Sequence, residues 1–259
     1  KDVVQTWVGE LNPELHRGTL TTHGLVKKQN RKLEWKLRAV EMLYSCLPMK
    51  EYPSEELDQM WKKLLINQFH DIIPGSSINL VYQTTHKEYE QIHEGCDALI
   101  KQSGEQLFKK DDNSFVLVNT LSYTWKGAIC LPESFHGYSL LGQNGESIQL
   151  QNDGNGILAA VELDPLSFTT FKKGNKADLE DNKGEDLILE NDLIKYEFDQ
   201  TGQLISMYDK VLNKEFLSNS GNVLSLYEDR PNNWDAWDVD FFYREALIET
   251  AKAIKVETS

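Results

Sequence analysis

The sequence predicts a multidomain α+β protein in which a three-helix bundle is followed by an antiparallel β-sandwich. Before residue 112, apolar residues recur at steps of three or four in three segments, which is the period of amphipathic helices. After residue 112, short apolar segments recur at the spacing of about 8–12 residues that is typical of all-β sandwiches. We therefore assign residues 25–111 to the helices and residues 112–259 to the β-sandwich.

Composition limits the class of protein. The chain has 259 residues, which is enough for one or two domains with a sizeable core. Its 41 acidic and 27 basic residues give a formal net charge of −14, which repels nucleic-acid phosphates and anionic lipid headgroups. At 40% hydrophobic residues the chain is too apolar to be disordered, yet no apolar run reaches the roughly 18 residues that span a bilayer. We expect neither nucleic acid nor a membrane as partner.

The three cysteines favour a reducing compartment. Cys46, Cys96 and Cys130 lie far apart, are odd in number and form no CxxC pair. This pattern indicates neither a disulfide framework nor a thiolate zinc site.

The first residues have the composition of a buried strand. Residues 2–11 are rich in β-branched and aromatic side chains, and Glu10 lies near the carboxyl end of this predicted strand, where barrel and open-sheet enzymes place functional groups. Residues 12–30 are polar and lack a helical period, so we predict a loop. Because the chain begins with Lys1 rather than Met and enters a strand at once, we expect it to be a piece of a longer protein.

Three helices follow the predicted loop. The first is predicted over about 31–47 and ends at Pro48, which cannot continue a helix. The second begins at Ser54, a candidate N-cap, and ends near His70. The third extends for about 30 residues from residue 76. The predicted apolar faces comprise Leu33, Leu37, Val40, Tyr44 and Leu47, then Leu57, Met60, Trp61, Leu64 and Leu65, then Tyr82, Tyr89, Ile92, Cys96, Leu99 and Leu107.

Strands dominate the rest of the chain. The predicted strand segments are FVLVN, GAICLP, ESIQLQ, ILAAVEL, FTTFKK, DLILEND, IKYEFD, GQLISMYD and NVLSLYED. Residues 175–186 form the most charged stretch, which predicts an exposed loop.

The segment LINQFHDIIPGSS, residues 65–77, is the densest candidate site. His70 and Asp71 lie at the predicted end of a helix, just before a Pro-Gly turn. A neutral imidazole beside a carboxylate can bind a divalent cation, while the carboxylate orients the ring or bonds ligand hydroxyls. Zinc needs three or four protein ligands, so the pair leaves open that His70 only caps the carbonyls of its helix.

The segment WVGELNPELHRGT, residues 7–19, is the second candidate. Glu10, Glu14, His16 and Arg17 lie within eight positions of one another. A carboxylate at the end of a strand can act as a general acid or base when neighbours and burial tune its pKa. The alternative is an ordinary surface ion pair between Glu14 and Arg17.

The segment EDRPNNWDAWDVDFFY, residues 228–243, is the third candidate. Tryptophan faces stack on the apolar faces of sugar rings while carboxylates bond the hydroxyls, so Trp234, Asp235 and Trp237 are candidate carbohydrate ligands. The spacing lacks the Gly and Glu of an EF-hand loop. A role for both tryptophans as core anchors under a sheet remains the alternative.

Five strings in this order resemble glycoside hydrolase family 38, in particular its cytosolic, vacuolar and bacterial α-mannosidases. GELNPELHRGTLTT resembles the segment that closes the catalytic β/α domain of that family, so residues 1–24 are assigned to that domain. NQFHDIIPGSS resembles its hallmark at the end of the second bundle helix. VNTLSYTW, LENDLIKYEFDQTGQLISMYDK and DRPNNWDAWD resemble its C-terminal β region.

The resemblance implies a retaining exo-α-mannosidase that hydrolyses terminal α-mannosides of oligosaccharides with one divalent cation, usually Zn²⁺. His70 matches the histidine with which the helical bundle binds the metal, and Asp71 matches the adjacent aspartate that bonds mannose hydroxyls. Glu10 matches a carboxylate that is proposed as the acid/base. The nucleophile and the other metal ligands are expected upstream of Lys1, so we expect this chain alone to be inactive.

Further expectations concern partners and location. The alternative function is a non-catalytic carbohydrate-binding or assembly module built on the β half, and a scaffold without a site is a third. A partial β domain with unpaired edges or an exposed apolar face predicts a homo-oligomer. The sequence favours a cytoplasmic location and leaves linkage preference and metal identity open.

Overall fold

The computed structural model describes residues 6, 8, 16–152, 154–177 and 187–256. Apart from residues 6 and 8, the predicted strand over 2–11, with its candidate acid/base Glu10, lies outside the described residues. The chain divides into two compact units. The helical unit draws on Lys1–Lys109 and Tyr227–Leu247, and the β unit draws on Lys110–Leu226 and Ile248–Ser259. Helices followed by antiparallel sheets agree with the predicted α+β class.

Three helices form the helical unit, as the apolar periodicity predicts. They are α1 (Gly24–Ser45), α2 (Ser54–Asn67) and α3 (Asn79–Leu107), and each packs against the other two. Their shared core consists of Val26, Leu33, Leu37, Val40, Tyr44, Leu57, Met60, Leu64, Tyr82, Tyr89, Ile92 and Cys96.

The helix boundaries differ from the prediction at the start of α1, at the end of α2 and at the start of α3, which begins at Asn79 and not at residue 76. Helix α1 begins at Gly24, so the loop predicted over 12–30 is wrong for its last seven residues. The buried face of α1 extends back through Asn30 to Val26. Residues 27–30, KKQN, are polar, so the apolar pattern of the sequence does not show this extension. Helix α2 begins at Ser54 with Pro53 as its N-cap residue, so the predicted N-cap role of Ser54 is wrong. Helix α2 ends at Asn67, three residues before His70, because the following residues form turns.

The apolar face of α2 is also narrower than predicted. Leu65 is exposed, whereas Asn67 is buried although it is polar. The Asn67 Nδ2 group donates to Glu88 Oε2 at 2.7 Å and to the Lys63 carbonyl at 2.9 Å. A buried amide is tolerated because its donors are paired, and this pair ties the end of α2 to α3.

Thirteen strands are present among the described residues. They are β1 (Ser114–Asn119), β2 (Trp125–Cys130), β3 (Tyr138–Leu141), β4 (Ser147–Ile148), β5 (Leu150–Asn152), β6 (Ile157–Leu163), β7 (Ser167–Lys176), β8 (Ile188–Glu190), β9 (Ile194–Phe198), β10 (Leu204–Asp209), β11 (Lys214–Glu215), β12 (Ser225–Tyr227) and β13 (Leu247–Thr250). Short segments β3, β11 and β13 were not among the predicted strand segments, because each is too brief to show an alternating pattern.

The strands pair in four sheets. The orders are β1-β7-β3-β4, β2-β6-β5, β11-β10-β9-β8 and β12-β13, and neighbouring strands in the first three sheets are antiparallel. The first two sheets share one core, which includes Leu140 and Phe171 from the first and Ala159, Val161 and Leu163 from the second. Strand β6 alternates buried and less buried residues along its length, as a strand with one face on a core must.

The three cysteines of the chain form no disulfide. Cys46, Cys96 and Cys130 are all free thiols, in agreement with the absence of a disulfide pattern in the sequence. Burial raises the pKa of the Cys96 thiol to about 11, which keeps it protonated and unreactive at neutral pH.

Within the described part of the chain, no helix combines the length and hydropathy required to cross a bilayer.

A buried asparagine closes the turn after β1. Asn119 is 3% exposed. Its Nδ2 group donates to the carbonyls of Tyr123, Leu163 and Asp164 at 3.0, 3.2 and 2.8 Å, and its Oδ1 atom accepts from Leu121 N at 2.9 Å. One amide therefore satisfies backbone groups of two separate turns.

We predict that Asn119→Ala destabilises the β unit by about 3 kcal/mol, because it leaves buried backbone groups without partners. The free energy of unfolding in urea measures the change. Asn144→Ala, at an exposed turn position, is the control. Equal stability of the two variants would contradict the assigned role of Asn119.

Apolar side chains are exposed on the β unit. They include Leu193, Ile205, Val211, Leu212 and Leu224. Val211 and Leu212 project from a turn that is fixed through the backbone, since both N–H groups donate to Asp209 Oδ1 at 2.9 and 2.8 Å. Exposed apolar area of this kind favours association.

We therefore predict that the chain forms dimers or higher oligomers at millimolar concentration, as measured by sedimentation velocity. Val211→Lys with Leu212→Lys should weaken the association without unfolding the turn, because the turn depends on backbone donors and not on these side chains. A strictly monomeric profile of the unsubstituted chain at that concentration would be incompatible with this expectation.

Candidate functional site

The turn that links α2 to α3 carries the histidine and aspartate singled out in the sequence. The His70 side chain is 77% exposed and the Asp71 side chain is 46% exposed, so both reach solvent. His70 Nε2 lies 3.5 Å from Asp71 Oδ2, and the ring centroids of Phe69 and His70 are 4.2 Å apart. No hydrogen bond joins the imidazole to a carbonyl among the described residues, which argues against a helix-capping role.

Hydroxyl groups at the start of α3 hold Asp71. Ser77 Oγ donates to the Asp71 carbonyl at 2.5 Å, and Ser76 Oγ lies 3.4 Å from both the carbonyl and Oδ1 of Asp71. The Tyr82 hydroxyl accepts from Ser77 N at 2.9 Å and donates to the Ile72 carbonyl at 3.2 Å. These bonds fix the backbone of Asp71 while its carboxylate remains accessible.

A lysine of α1 holds the other end of the same turn. Lys27 Nζ donates to the carbonyls of Ile73 and Pro74 at 2.7 and 3.4 Å, and also to the Thr22 carbonyl. Burial lowers the pKa of this ammonium group. A charged donor shared by several carbonyls is a strong tether, so Lys27 fastens the turn to the start of α1.

Gly75 permits a close contact that no other residue allows. Its φ is +104°, and a Cβ atom at this position would lie 2.5 Å from Thr22 Cγ2. Both the left-handed conformation and the approach to Thr22 therefore require glycine.

Residues 234–238 dock against the turn at residues 18–22. The Trp237 carbonyl accepts from the backbone N–H groups of Gly18 and Thr19 at 2.7 and 3.2 Å. Thr22 Oγ1 lies 2.8 Å from the Ala236 carbonyl and 2.8 Å from the Gly18 carbonyl. A Cβ atom at Gly18 would lie 3.2 Å from the carbonyl oxygens of Trp237 and Asp238, so glycine permits this approach as well.

The two tryptophans of this segment differ in exposure. Trp234 is 55% exposed, whereas Trp237 is half-buried and its ring stacks with that of Trp234 at 6.0 Å and with that of His16 at 5.0 Å. The indole N–H of Trp237 is buried and has no hydrogen-bond partner among the described residues. The alternative of a core anchor thus fails for Trp234 and fits Trp237 only in part.

One cavity brings the first and third candidate segments together. Its volume is about 530 Å³, and it is lined by Asp71, Ser76, Ser77, Ile78, Val81, Trp234, Asp235, Ala236 and Trp237. Two carboxylates and two indoles face the same space, which suits a ligand with both hydroxyl groups and an apolar face. His70 adjoins Asp71 but does not line the cavity.

Not every predicted site residue meets the others in this cavity. Asp71, Trp234, Asp235 and Trp237 converge on it, although more than 150 positions separate the first from the other three. Glu10 and Glu14 lie outside the described residues, and with them the predicted acid/base and the alternative ion pair of Glu14 with Arg17.

Thr22, Lys27 and Tyr82 shape the site but were not predicted as site residues from the sequence. Their contacts are mainly with backbone carbonyls, which no spacing pattern reveals. The two serines of PGSS were the one available signal, because hydroxyls after a Pro-Gly turn commonly bond the backbone nearby.

The metal-binding capacity of the described residues is limited. His70 and Asp71 supply a nitrogen and an oxygen ligand, but no group of three or more His, Cys, Asp or Glu side chains that could hold an ion occurs among the residues described. Since zinc sites have at least three protein ligands, the pair could contribute only part of such a site.

Two family models match this chain. The model described as "Alpha mannosidase middle domain" matches residues 14–107, and that described as "Glycosyl hydrolases family 38 C-terminal domain" matches residues 189–259. The first match contains the His70 turn and the second contains the tryptophan segment.

Several known proteins are similar to the chain. Alpha-mannosidase 2C1 of Mus musculus is 32% identical over 257 residues, which cover 96% of this chain and 24% of that protein. Alpha-mannosidase G of Dictyostelium discoideum is 29% identical over 286 residues, which cover 92% of this chain and 26% of that protein. The chain therefore spans about a quarter of the length of these relatives.

A solved structure shares the fold. The structure of an alpha-mannosidase from Enterococcus faecalis V583 matches with a TM-score of 0.61 and 19% identity, covering 86% of this chain and 31% of that one. At this identity the match concerns the fold alone.

The tether on the His70 turn yields a prediction. Lys27→Met should lower the free energy of unfolding by about 1–3 kcal/mol, because the carbonyls of Ile73 and Pro74 lose their donor. It should also speed hydrogen exchange of the Ile72 and Gly75 amides, whose turn bonds span the tethered segment. Lys28→Met, at the exposed next position of α1, is the matched control. If the two variants gave equal stability and exchange, the tether would be unimportant.

Proposed function

The chain belongs to glycoside hydrolase family 38, and on that premise we propose that it is part of a retaining, metal-dependent exo-α-mannosidase. The full protein would hydrolyse terminal α-mannosides of mannose-containing oligosaccharides. The observation that carries this proposal is the convergence of Asp71, Trp234, Asp235 and Trp237 on one cavity, since this mixture of carboxylates and indoles suits a sugar ring.

Metal binding by His70 forms part of the proposal. The imidazole is exposed and lies 3.5 Å from a carboxylate oxygen, so its ring nitrogen is accessible to an ion, with Asp71 beside it as orienting partner. Bound there, a divalent cation such as Zn²⁺ would fix sugar hydroxyls and favour ring distortion toward an oxocarbenium-like geometry. The remaining ligands would come from residues upstream of those described.

The roles of the protein side chains follow from their chemistry. Asp71 accepts hydrogen bonds from the hydroxyls of the terminal mannose, and Trp234 and Trp237 supply apolar faces for the substrate. Glu10 holds the proton that passes to the glycosidic oxygen as the C1–O bond breaks. Retention of configuration requires a second carboxylate about 5–5.5 Å from this acid, and the nucleophile is expected upstream.

This chain by itself should be inactive. It spans about a quarter of the length of the curated relatives, and its described residues contain no complete set of metal ligands. The proposal therefore assigns hydrolysis to the full protein and a share of the substrate and metal contacts to this chain.

A carbohydrate-binding module without catalysis is the second candidate function. The exposure of Trp234 beside a cavity favours it, since such modules use accessible aromatic faces. It differs from the first proposal in that His70 would have no metal to bind and the full protein would turn over no mannoside.

Other parts of the proposal concern architecture and setting. We retain the three-helix bundle and the β-sandwich as the architecture, supported by the two shared cores. The domain boundaries at residues 24 and 111 stay predictions, and residues 227–247 group with the helical unit. A homo-oligomer is supported by the exposed apolar side chains of the β unit. A cytoplasmic location agrees with three free thiols.

The test is hydrolysis of 4-nitrophenyl α-mannoside by the full-length protein that contains this chain. His70→Ala should lower kcat/KM by about 100-fold or more and weaken zinc binding, as measured by isothermal titration, because a ligand is lost. Asp71→Asn should lower kcat/KM about 100-fold by weakening its bonds to sugar hydroxyls.

The matched control is His136→Ala, which removes an exposed imidazole of the β unit. Activity and zinc affinity of His70→Ala equal to those of His136→Ala would overturn the metal-ligand role. Binding of mannose oligosaccharides by a full-length protein that hydrolyses no mannoside would establish the carbohydrate-binding module instead.

A further inference from the structure

The cavity is larger than one terminal sugar requires. At about 530 Å³ it lies within the range of roughly 300–1,000 Å³ for cavities that hold drug-sized ligands, which are larger than a single hexose. It therefore has room for a second sugar ring.

The position of His70 limits where the terminal mannose can lie. Asp71 lines the cavity, but His70 does not. The proposed function places the terminal mannose in contact with Asp71 and beside His70, and therefore at the Asp71 edge of the cavity. The space lined by the segment 234–237 is then left for the next part of the substrate.

The backbone conformation of Trp234 is unusual, and its indole is exposed at the cavity instead of packed in a core. Its φ is +60°, which is uncommon for a bulky residue and costs conformational energy. The conformation persists because the Trp234 carbonyl accepts from the N–H groups of Trp237 and Asp238, both at 2.8 Å. The result is an indole that stays 55% exposed at the cavity.

Ring stacking and backbone hydrogen bonds support the Trp234 indole from behind. Its ring stacks with Trp237 at an interplanar angle of 22°, and Trp237 in turn stacks with His16. The Trp237 carbonyl is fixed by two backbone donors from the turn at residues 18–22. A flat apolar face that is immobilised before binding loses little entropy when a sugar stacks on it.

We propose that Trp234 is the stacking platform of a second carbohydrate subsite, which takes the sugar on the leaving-group side of the scissile bond. Asp235, exposed at the same cavity, is placed to accept hydrogen bonds from the hydroxyls of that sugar. This inference rests on the proposed function, because it assumes that the terminal mannose occupies the Asp71 edge. On this proposal, Trp234 raises kcat/KM for oligosaccharides relative to kcat/KM for mannosides with a small leaving group.

The test compares two substrates of the full-length protein. An α-linked mannobiose has a sugar as leaving group, and α-mannosyl fluoride has a leaving group without a ring. Trp234→Gly removes the indole and suits the positive φ, so the loop is expected to keep its shape. The ratio of kcat/KM for mannobiose to kcat/KM for the fluoride should fall about tenfold in this variant.

Two further variants sharpen the comparison. Trp234→Phe keeps an aromatic face and should lose less of the ratio than Trp234→Gly. Trp35→Ala removes a partly exposed tryptophan of α1 that is not among the residues lining the cavity, and should leave the ratio as it is.

Each outcome has a defined meaning. Equal losses on both substrates, or no loss on either, would overturn the assignment of Trp234 to the leaving-group sugar. If the unsubstituted protein hydrolyses neither substrate, the proposed function itself fails and the subsite fails with it. Hydrolysis of the fluoride with an unchanged ratio in Trp234→Gly rejects the subsite alone.

Discussion

The contacts of Thr22 are the constraint on which the cavity depends. Its methyl group packs where a side chain at Gly75 would otherwise lie, and its hydroxyl reaches the carbonyls of Gly18 and Ala236. The turn after α2 and the tryptophan segment therefore both contact Thr22, which lies just before α1. Because these two segments supply the two sides of the cavity, the contacts of Thr22 link the placement of Asp71 to that of Trp234.

The helical unit stabilises its site through polar contacts added to an apolar core. The core of α1, α2 and α3 fixes the helix axes, but it does not determine the path of the turn between α2 and α3. That path is determined by donors to backbone carbonyls, namely Lys27, Ser77 and Tyr82. Since a buried carbonyl without a donor is costly, these bonds select one turn conformation among many that the core would permit. The site therefore has an ordered backbone and accessible side chains, as binding requires.

The tryptophan segment, in contrast, contains several features that are unfavourable for stability. A positive φ at Trp234, a buried indole N–H at Trp237 that lacks a partner among the described residues, and a large exposed indole are each unfavourable. Unfavourable features that cluster at a cavity are typical of functional sites, so they support the binding role that we propose for this segment. The β unit contains a contrasting example in Asn119, whose buried amide joins two turns through four hydrogen bonds.

The class of fold, the three helices, most of the longer strands and the residues worth testing could be predicted from the sequence. Apolar periodicity carries this information, because a helix or strand must bury one face whatever the remainder of the chain does. Polar stretches and short strands gave no such signal, which is why the start of α1 at Gly24 and strands such as β3 were missed. Only the tertiary structure shows that Asp71 and Trp234 line one cavity. It also shows the contacts of Thr22 and Lys27 with backbone carbonyls. These depend on contacts between distant segments and on bonds to backbone carbonyls, which every residue possesses and which therefore leave no pattern in the sequence.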